Sequence, residues 1–190
     1  GDLIAIVRDE IVAKDVADAL AVLCPDSTIL FCPGSDAMPG DAAPASPANV
    51  GQRVAALYRL NRLRADEDRP RVALVSTGEA AARSYPAPSS FAAEPPSVAV
   101  GDDIDLGALH ATLLDIGYVD DERVDEPGEI GLRGQVLDVF PADGTLPLRI
   151  EVADGRIGAI RRYDPVDQRR IDELTRRELG RATEPVQDAR

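Results

Sequence analysis

Apolar positions change their rhythm once along this chain. In the first half, short continuous apolar runs alternate with stretches of helical period. Leu3-Ile4-Ala5-Ile6-Val7 is such a run, the pattern of a strand covered on both faces. Asp9 is placed to cap a helix whose Ile11, Val12, Val16, Ala19, Leu20 and Leu23 share one stripe, and Pro25 stops it. Thr28-Ile29-Leu30-Phe31-Cys32 reads as a second strand, closed by Pro33-Gly34. Residues 33–49 hold four prolines and no periodicity, which predicts a long surface loop. Asn49 then caps a helix carrying Val50, Val54, Leu57 and Tyr58 at i, i+4, i+7 and i+8. Arg64 to Pro70 is a charged linker, and Val72-Ala73-Leu74-Val75 a third strand. Ser76 with Glu79 makes a capping box for a short Ala-rich helix. The order β-α-β-loop-α-β-α predicts a parallel three-layer α/β domain.

A Pro-rich stretch from Ser84 to Ser97 marks the domain junction, which places the first domain at 1–97 and the second at 98–180, with a frayed tail at 181–190. Asp105 caps a helix with Leu106, Leu109, Leu113 and Leu114 inward, and Gly117 ends it. Strand and turn follow. Ile130, Leu132 and Val136 alternate with Arg133 and Gln135, with a slip of phase that predicts a β-bulge. Pro141 to Gly144 form a turn. Leu148, Ile150 and Val152 alternate with Arg149, Glu151 and Ala153, and Asp154-Gly155 is a hairpin signal leading into Arg156 to Tyr163. The second domain is therefore a small antiparallel sheet backed by one helix, an α+β unit.

Composition narrows the chemistry. The 190 residues are 44% hydrophobic and 4% aromatic, so the core must come from Ala, Val, Leu and Ile. A formal charge of −13 opposes a broadly phosphate-neutralising protein. No apolar run approaches the ~20 residues that span a bilayer, and no secretory signal opens the chain. It begins Gly1-Asp2 without Met, as expected of a piece of something longer. One histidine and two cysteines are too few for a structural zinc site. Cys24 and Cys32 are expected to be small buried hydrophobes of a cytoplasmic protein, and His110 a helix-surface residue. A P-loop needs its Lys, and the one lysine, Lys14, falls inside a helix. The acidic pairs Asp121-Glu122 and Asp172-Glu173 read as solvated. No cofactor or metal site is expected.

Strand alternation turns Arg133 and Arg149 away from the core face, onto one exposed face of adjacent strands. There they either grip a partner's carboxylates or pair with Glu129, Glu151 or Asp138.

An ordered set of motifs bears on that choice. It comprises Leu114-Asp-Ile-Gly-Tyr118, Arg123-Val-Asp-Glu-Pro-Gly-Glu129, Leu132-Arg-Gly-Gln-Val-Leu-Asp-Val-Phe-Pro141, Leu148-Arg-Ile-Glu151, Ile157, Ile160-Arg-Arg162 and Asp164-Pro-Val-Asp-Gln-Arg169. It resembles the UvrB-homology region of the transcription-repair coupling factors (Mfd), shared more distantly with the excision-repair protein UvrB. Gly51 to Leu57 and Val72 to Thr77 are similar to the family's first domain, a degenerate P-loop, helicase-like α/β unit. The resemblance implies a non-catalytic module that docks on UvrA in transcription-coupled nucleotide-excision repair. Arg133 and Arg149 match the family's docking arginines. Ala153 stands where the family has an aromatic, and Ala37-Met-Pro-Gly-Asp41 stands where it has an aromatic loop. RNA polymerase and DNA would be partners only through parts of a longer parent, an ATP-dependent translocase. No membrane partner is expected.

Two other classes stay open. One is a residual nucleotide-binding enzyme with NTPase or nuclease activity, using Asp36 or Asp41 at the carboxyl end of the second strand. The other is direct duplex binding by Arg156, Arg161, Arg162, Arg169 and Arg170, against an unfavourable acidic field.

Overall fold

The structure is a computed structural model, and residues 1–37 and 44–185 are described. Two compact units share the chain, one built on Gly1–Ala93 and the other on Glu94–Glu184. Parallel and antiparallel sheets both occur, with helices beside each.

The first unit holds β1 (Leu3–Val7), β2 (Ser27–Cys32) and β3 (Arg71–Thr77), paired in parallel in the order β1-β3-β2. Helix α1 (Glu10–Leu23) is capped by Asp9, whose carboxylate accepts from the Val12 amide at 2.9 Å. Its Ala13, Val16, Ala17 and Leu20 pack on Ile29, Phe31 and Val75. Helix α2 (Pro47–Arg64) packs Ala56, Leu57, Leu60 and Leu63 on the alternate strand residues Leu30, Cys32, Val72 and Leu74. Burial of these aliphatic surfaces supplies the driving force for the unit.

Two caps differ from expectation. Ser46, not Asn49, caps α2. Asn49 is buried one turn in, where its side-chain oxygen accepts from Arg53 at 2.6 Å. At α3 (Gly78–Ala82) the cap is Thr77. Ser76 instead donates to the Cys32 carbonyl at 2.8 Å, and Glu79 reaches back to the Ser35 amide. Tertiary partners outbid the local capping box. Cys32 is buried and Cys24, at the end of α1, is half-buried; neither is in a disulfide. The Pro-rich stretch is partly ordered, since a 3₁₀ turn over Pro88–Phe91 packs Phe91 against Val50 and Val54.

The second unit is a six-stranded sheet in the order β10-β9-β8-β7-β6-β5. Its strands are β5 (Val119–Asp120), β6 (Glu129–Arg133), β7 (Val136–Val139), β8 (Leu148–Ala153), β9 (Arg156–Tyr163) and β10 (Arg170–Leu174). All neighbours are antiparallel except β5 and β6. Two short strands, β4 (Ser97–Ala99) and β11 (Arg176–Glu178), pair separately. Helix α4 (Leu106–Asp115) is capped by Asp105 and terminated at Gly117, whose φ of 101° suits glycine. Leu106, Leu109 and Leu113 of α4 close the core over Ile130, Leu137, Val139, Leu148, Ile150 and Ile160.

The expected bulge between Ile130 and Val136 is instead a two-residue hairpin turn. Gly134, at φ 61°, reverses the chain so that Arg133 pairs with Val136. Bulges lie elsewhere, at Glu151/Val152 and Arg170/Asp172. Asp154-Gly155 forms the expected hairpin with both residues at positive φ. Residues 180–184 are not frayed. Ala182 is buried with its amide on the Ile116 carbonyl, and Leu179 is wholly buried. Residues 186–190 lie outside the described residues, as does Asp41.

Candidate protein-docking site

The sheet of the second unit has one face on its core and one turned away. Register places Gly131, Asp138 and Arg149 in one row of the outward face, with Arg133, Val136 and Glu151 in the next. Arg133 and Arg149 therefore share a face. They do not sit on adjacent strands, because β7 runs between them, and that strand carries Asp138.

Asp138 changes the state of Arg149. The Arg149 Nε and Nη2 donate to the two carboxylate oxygens of Asp138 at 2.8 and 2.9 Å, a bidentate pair, and Nη2 also reaches Gln168 at 3.4 Å. The guanidinium lies over the Tyr163 ring, 5.0 Å from its centroid. Asp138 is 6% exposed and Arg149 about a third. Hydrogen bonding to Asp138 raises the Arg149 pKa above its ordinary value. Burial pushes the Tyr163 phenol well above its ordinary range, with Asp138 adding to it. Arg149 is therefore held inside the fold, and its Nη1 has no hydrogen bond among the described residues.

A strap formed by residues 121–126 crosses the outward face beside this pair. The strap is possible because Gly131 has no side chain: a Cβ there would stand 2.7 Å from the Asp121 carbonyl oxygen. Val124 is buried under it, and its carbonyl accepts from the Tyr163 hydroxyl at 3.0 Å. Glu129 holds the far end by accepting from the Asp125 and Glu126 amides.

Arg133 is different. It is exposed at the β6–β7 turn and makes no hydrogen bond or ion pair among the described residues. Ala153 is exposed at the end of β8, paired with Arg156. Arginines considered for duplex binding are all engaged: Arg156 with Asp103, Arg161 with Glu151 and Glu173, Arg162 with Asp172, Arg169 with Asp167 and Arg170 with Glu173. Asp172 and Glu173 are thus ion-paired rather than merely solvated. His110, on α4, meets Asp120 at 3.0 Å.

The loop after β2 is closed by the chain's own groups. The Gly34 amide donates to Glu10 and the Ser35 amide to Glu79, while Arg53, 1% exposed, donates to the Gly34 carbonyl at 2.7 Å. Asp36 accepts from the Ser46 amide and hydroxyl at the start of α2.

Pattern alone left Val124, Tyr163 and Gln168 unassigned, and offered Asp138 only as one of three candidate partners for Arg133 and Arg149. Choosing Asp138 over Glu129 and Glu151 requires the β7–β8 register, which sets Asp138 opposite Arg149.

Residues 97–184 match the UvrB interaction domain family. The transcription-repair-coupling factor of Bacillus subtilis is 31% identical over 174 residues, covering 92% of this chain and 14% of that protein. That of Myxococcus xanthus is 31% identical over 185 residues, covering 91% and 15%. That of Mycobacterium tuberculosis is 27% identical over 174 residues, covering 92% and 14%. The chain thus spans about a seventh of the length of these relatives.

Proposed function

We propose that this chain, whose residues 97–184 belong to the UvrB interaction domain family, is a non-catalytic docking module that recruits UvrA in transcription-coupled nucleotide-excision repair. Arg133 is the contact that the partner meets directly. Arg149 is a positioning residue, and its free Nη1 edge is a secondary donor. The observation that carries this reading is the exposed, unengaged guanidinium of Arg133 on a sheet face where neighbouring arginines are paired with the protein's own carboxylates. A charge-assisted hydrogen bond from such a group contributes roughly 1.5–3 kcal/mol when a partner desolvates it.

The first unit fits a degenerate relative of P-loop nucleotide-binding domains, kept as a scaffold. Its parallel strands and flanking helices support that reading. So does the loop after β2, where backbone amides that would face a phosphate meet Glu10 and Glu79 instead. A crevice edged by carboxylates repels a nucleotide's phosphates, which disfavours the residual-enzyme alternative at Asp36. Any translocase motor, or contact with RNA polymerase and DNA, belongs to a longer parent.

Titration calorimetry of the chain with UvrA tests the docking role. Arg133→Ala is expected to weaken binding by at least about tenfold while leaving the unfolding midpoint unchanged. Binding equal to the unaltered chain would remove the role given to Arg133.

A further inference from the structure

Among the described residues Val166 is the most exposed large hydrophobic, at 80%, and its surroundings are unlike those of a loose loop. The turn 164–169 joins β9 to β10 and is held from both sides. Inside it, the Asp164 carboxylate accepts from the Val166 and Asp167 amides at 2.8 and 3.3 Å, and Asp167 accepts from the Arg169 amide at 2.9 Å. Gln168 takes the left-handed conformation, with φ 61°, a backbone cost for a residue with a Cβ. From outside, Arg123 on the strap donates to the carbonyls of Pro165 and Val166 at 3.2 and 3.1 Å. Arg149 reaches the Gln168 side chain. An apolar side chain is thus presented to water on a backbone that is already ordered.

Val166 also borders a shallow hollow on the outward sheet face, lined further by Glu122, Arg123, Val124, Arg133, Asp138 and Gln168, with Asp138 already held by Arg149. Of its two lining arginines, Arg123 pairs with Asp125, whereas Arg133 has no ion pair among the described residues. An unengaged cation and a rigidly held apolar knob therefore flank one concavity.

We propose that Val166 is the apolar anchor of the docking surface, inserting into a small apolar socket on the partner that is bordered by a carboxylate for Arg133. This deepens the UvrA-docking reading and rests on it. The partner's chemistry follows from complementarity: the knob needs an apolar recess, and the guanidinium beside it needs an acid. Preordering by Arg123 removes the entropy loss that a flexible loop would suffer on binding. In this arrangement Arg123 acts through the loop and is a positioning residue.

The test is calorimetric titration of UvrA with the unaltered chain, Val166→Ser, Arg123→Ala and Arg133→Ala, alongside urea unfolding and sedimentation of each. Val166→Ser is expected to weaken binding about tenfold or more with no change in unfolding midpoint. Arg123→Ala is expected to weaken binding through a larger entropic penalty, with Val166 still present. If Val166→Ser binds like the unaltered chain while Arg133→Ala does not, the anchor is overturned and the docking reading survives. If the unaltered chain fails to bind UvrA, both fall. A self-associated form that Val166→Ser abolishes, with UvrA binding intact, assigns the knob to a second copy and also overturns the proposal.

Discussion

Arg149 and Asp138 stand directly opposite each other on β8 and β7, and two hydrogen bonds of 2.8 and 2.9 Å join them. A cross-strand pair of opposite charge is ordinarily a weak surface feature. Here one partner is almost fully covered, the strap over Gly131 and the Tyr163 ring close around it, and the pair becomes part of the structure. Two arginines with the same alternation in sequence thereby acquire different work: Arg149 shapes the face and Arg133 remains on offer.

Arg149→Ala should therefore cost stability first. It strands the buried Asp138 carboxylate, removes the donor to Gln168 and uncovers Tyr163. The loss should be about 1.5–3 kcal/mol, the range for hydrogen bonds to charged groups, read as a fall in urea midpoint. Arg149→Lys should recover little of it, because an ammonium cannot reproduce the two-pronged contact. A midpoint unchanged in Arg149→Ala would show that the pair contributes nothing to folding.

Much of this was legible in the chain and some was not, for identifiable reasons. Continuous apolar runs and the Asp9 and Asp105 caps announced β1, β2, β3, α1 and α4, but the run at β1 overstated its burial: β3 is largely covered, whereas β1 lies at the sheet edge with Leu3, Ile4 and Ile6 exposed rather than covered on both faces. Ser46 and Thr77 were missed as caps since Asn49, Ser76 and Glu79 satisfy the same local rule but are claimed by other partners: Asn49 by Arg53 one turn along α2, and Ser76 and Glu79 by the distant Cys32 and Ser35. Strand β10 went unread because it is an edge strand rich in charge, Arg170 to Leu174, with no buried alternation. Alternation correctly placed Arg133 and Arg149 on one face. It could not show that Asp138, rather than Glu129 or Glu151, holds Arg149, because that depends on the β7–β8 register, and on a phase of β7 set by a turn at Gly134-Gln135 that was read as a bulge.

Acid should act in opposite directions at Glu10, in the first unit, and at Asp172, on β10 of the second. Burial raises the Glu10 pKa above its ordinary 4.5, with Asp36 and Glu79 adding repulsion and the Gly34 amide and Arg53 opposing it. A raised carboxyl pKa means the folded state binds the proton more tightly than the unfolded chain. Glu10 therefore costs stability above its folded pKa, and that cost vanishes as pH falls below 4.5. Glu10→Gln keeps an acceptor for Gly34 and removes the charge, so it should be more stable than the unaltered chain at pH 7 and equal to it in acid. Asp172 works the other way. Its pKa is lowered by Arg162, so its contribution is present at neutral pH and lost as pH falls through that lowered value. Urea midpoints across pH for Glu10→Gln and Asp172→Asn separate the two; parallel curves for the unaltered chain and Glu10→Gln would refute the Glu10 assignment.

Ala153 allows a gain of function rather than a loss. The family resemblance puts an aromatic at this place, and here an exposed methyl group ends β8. A phenyl ring there would be exposed in the free chain and covered only when a partner arrives, so its transfer from water counts toward binding and not toward folding. Ala153→Phe should therefore tighten UvrA binding by about tenfold, a modest share of the free energy of a fully buried aromatic, while the unfolding free energy from urea titration changes by less than about 0.5 kcal/mol, as for other surface changes. The tightening should appear mainly as slower dissociation, since a rim aromatic adds contact without adding charge. Surface-plasmon kinetics of Ala153→Phe, with Arg133→Ala as the second arm, read this directly. An unchanged dissociation rate would mean that the partner passes clear of the β8–β9 hairpin and that the docking surface lies wholly toward Arg133.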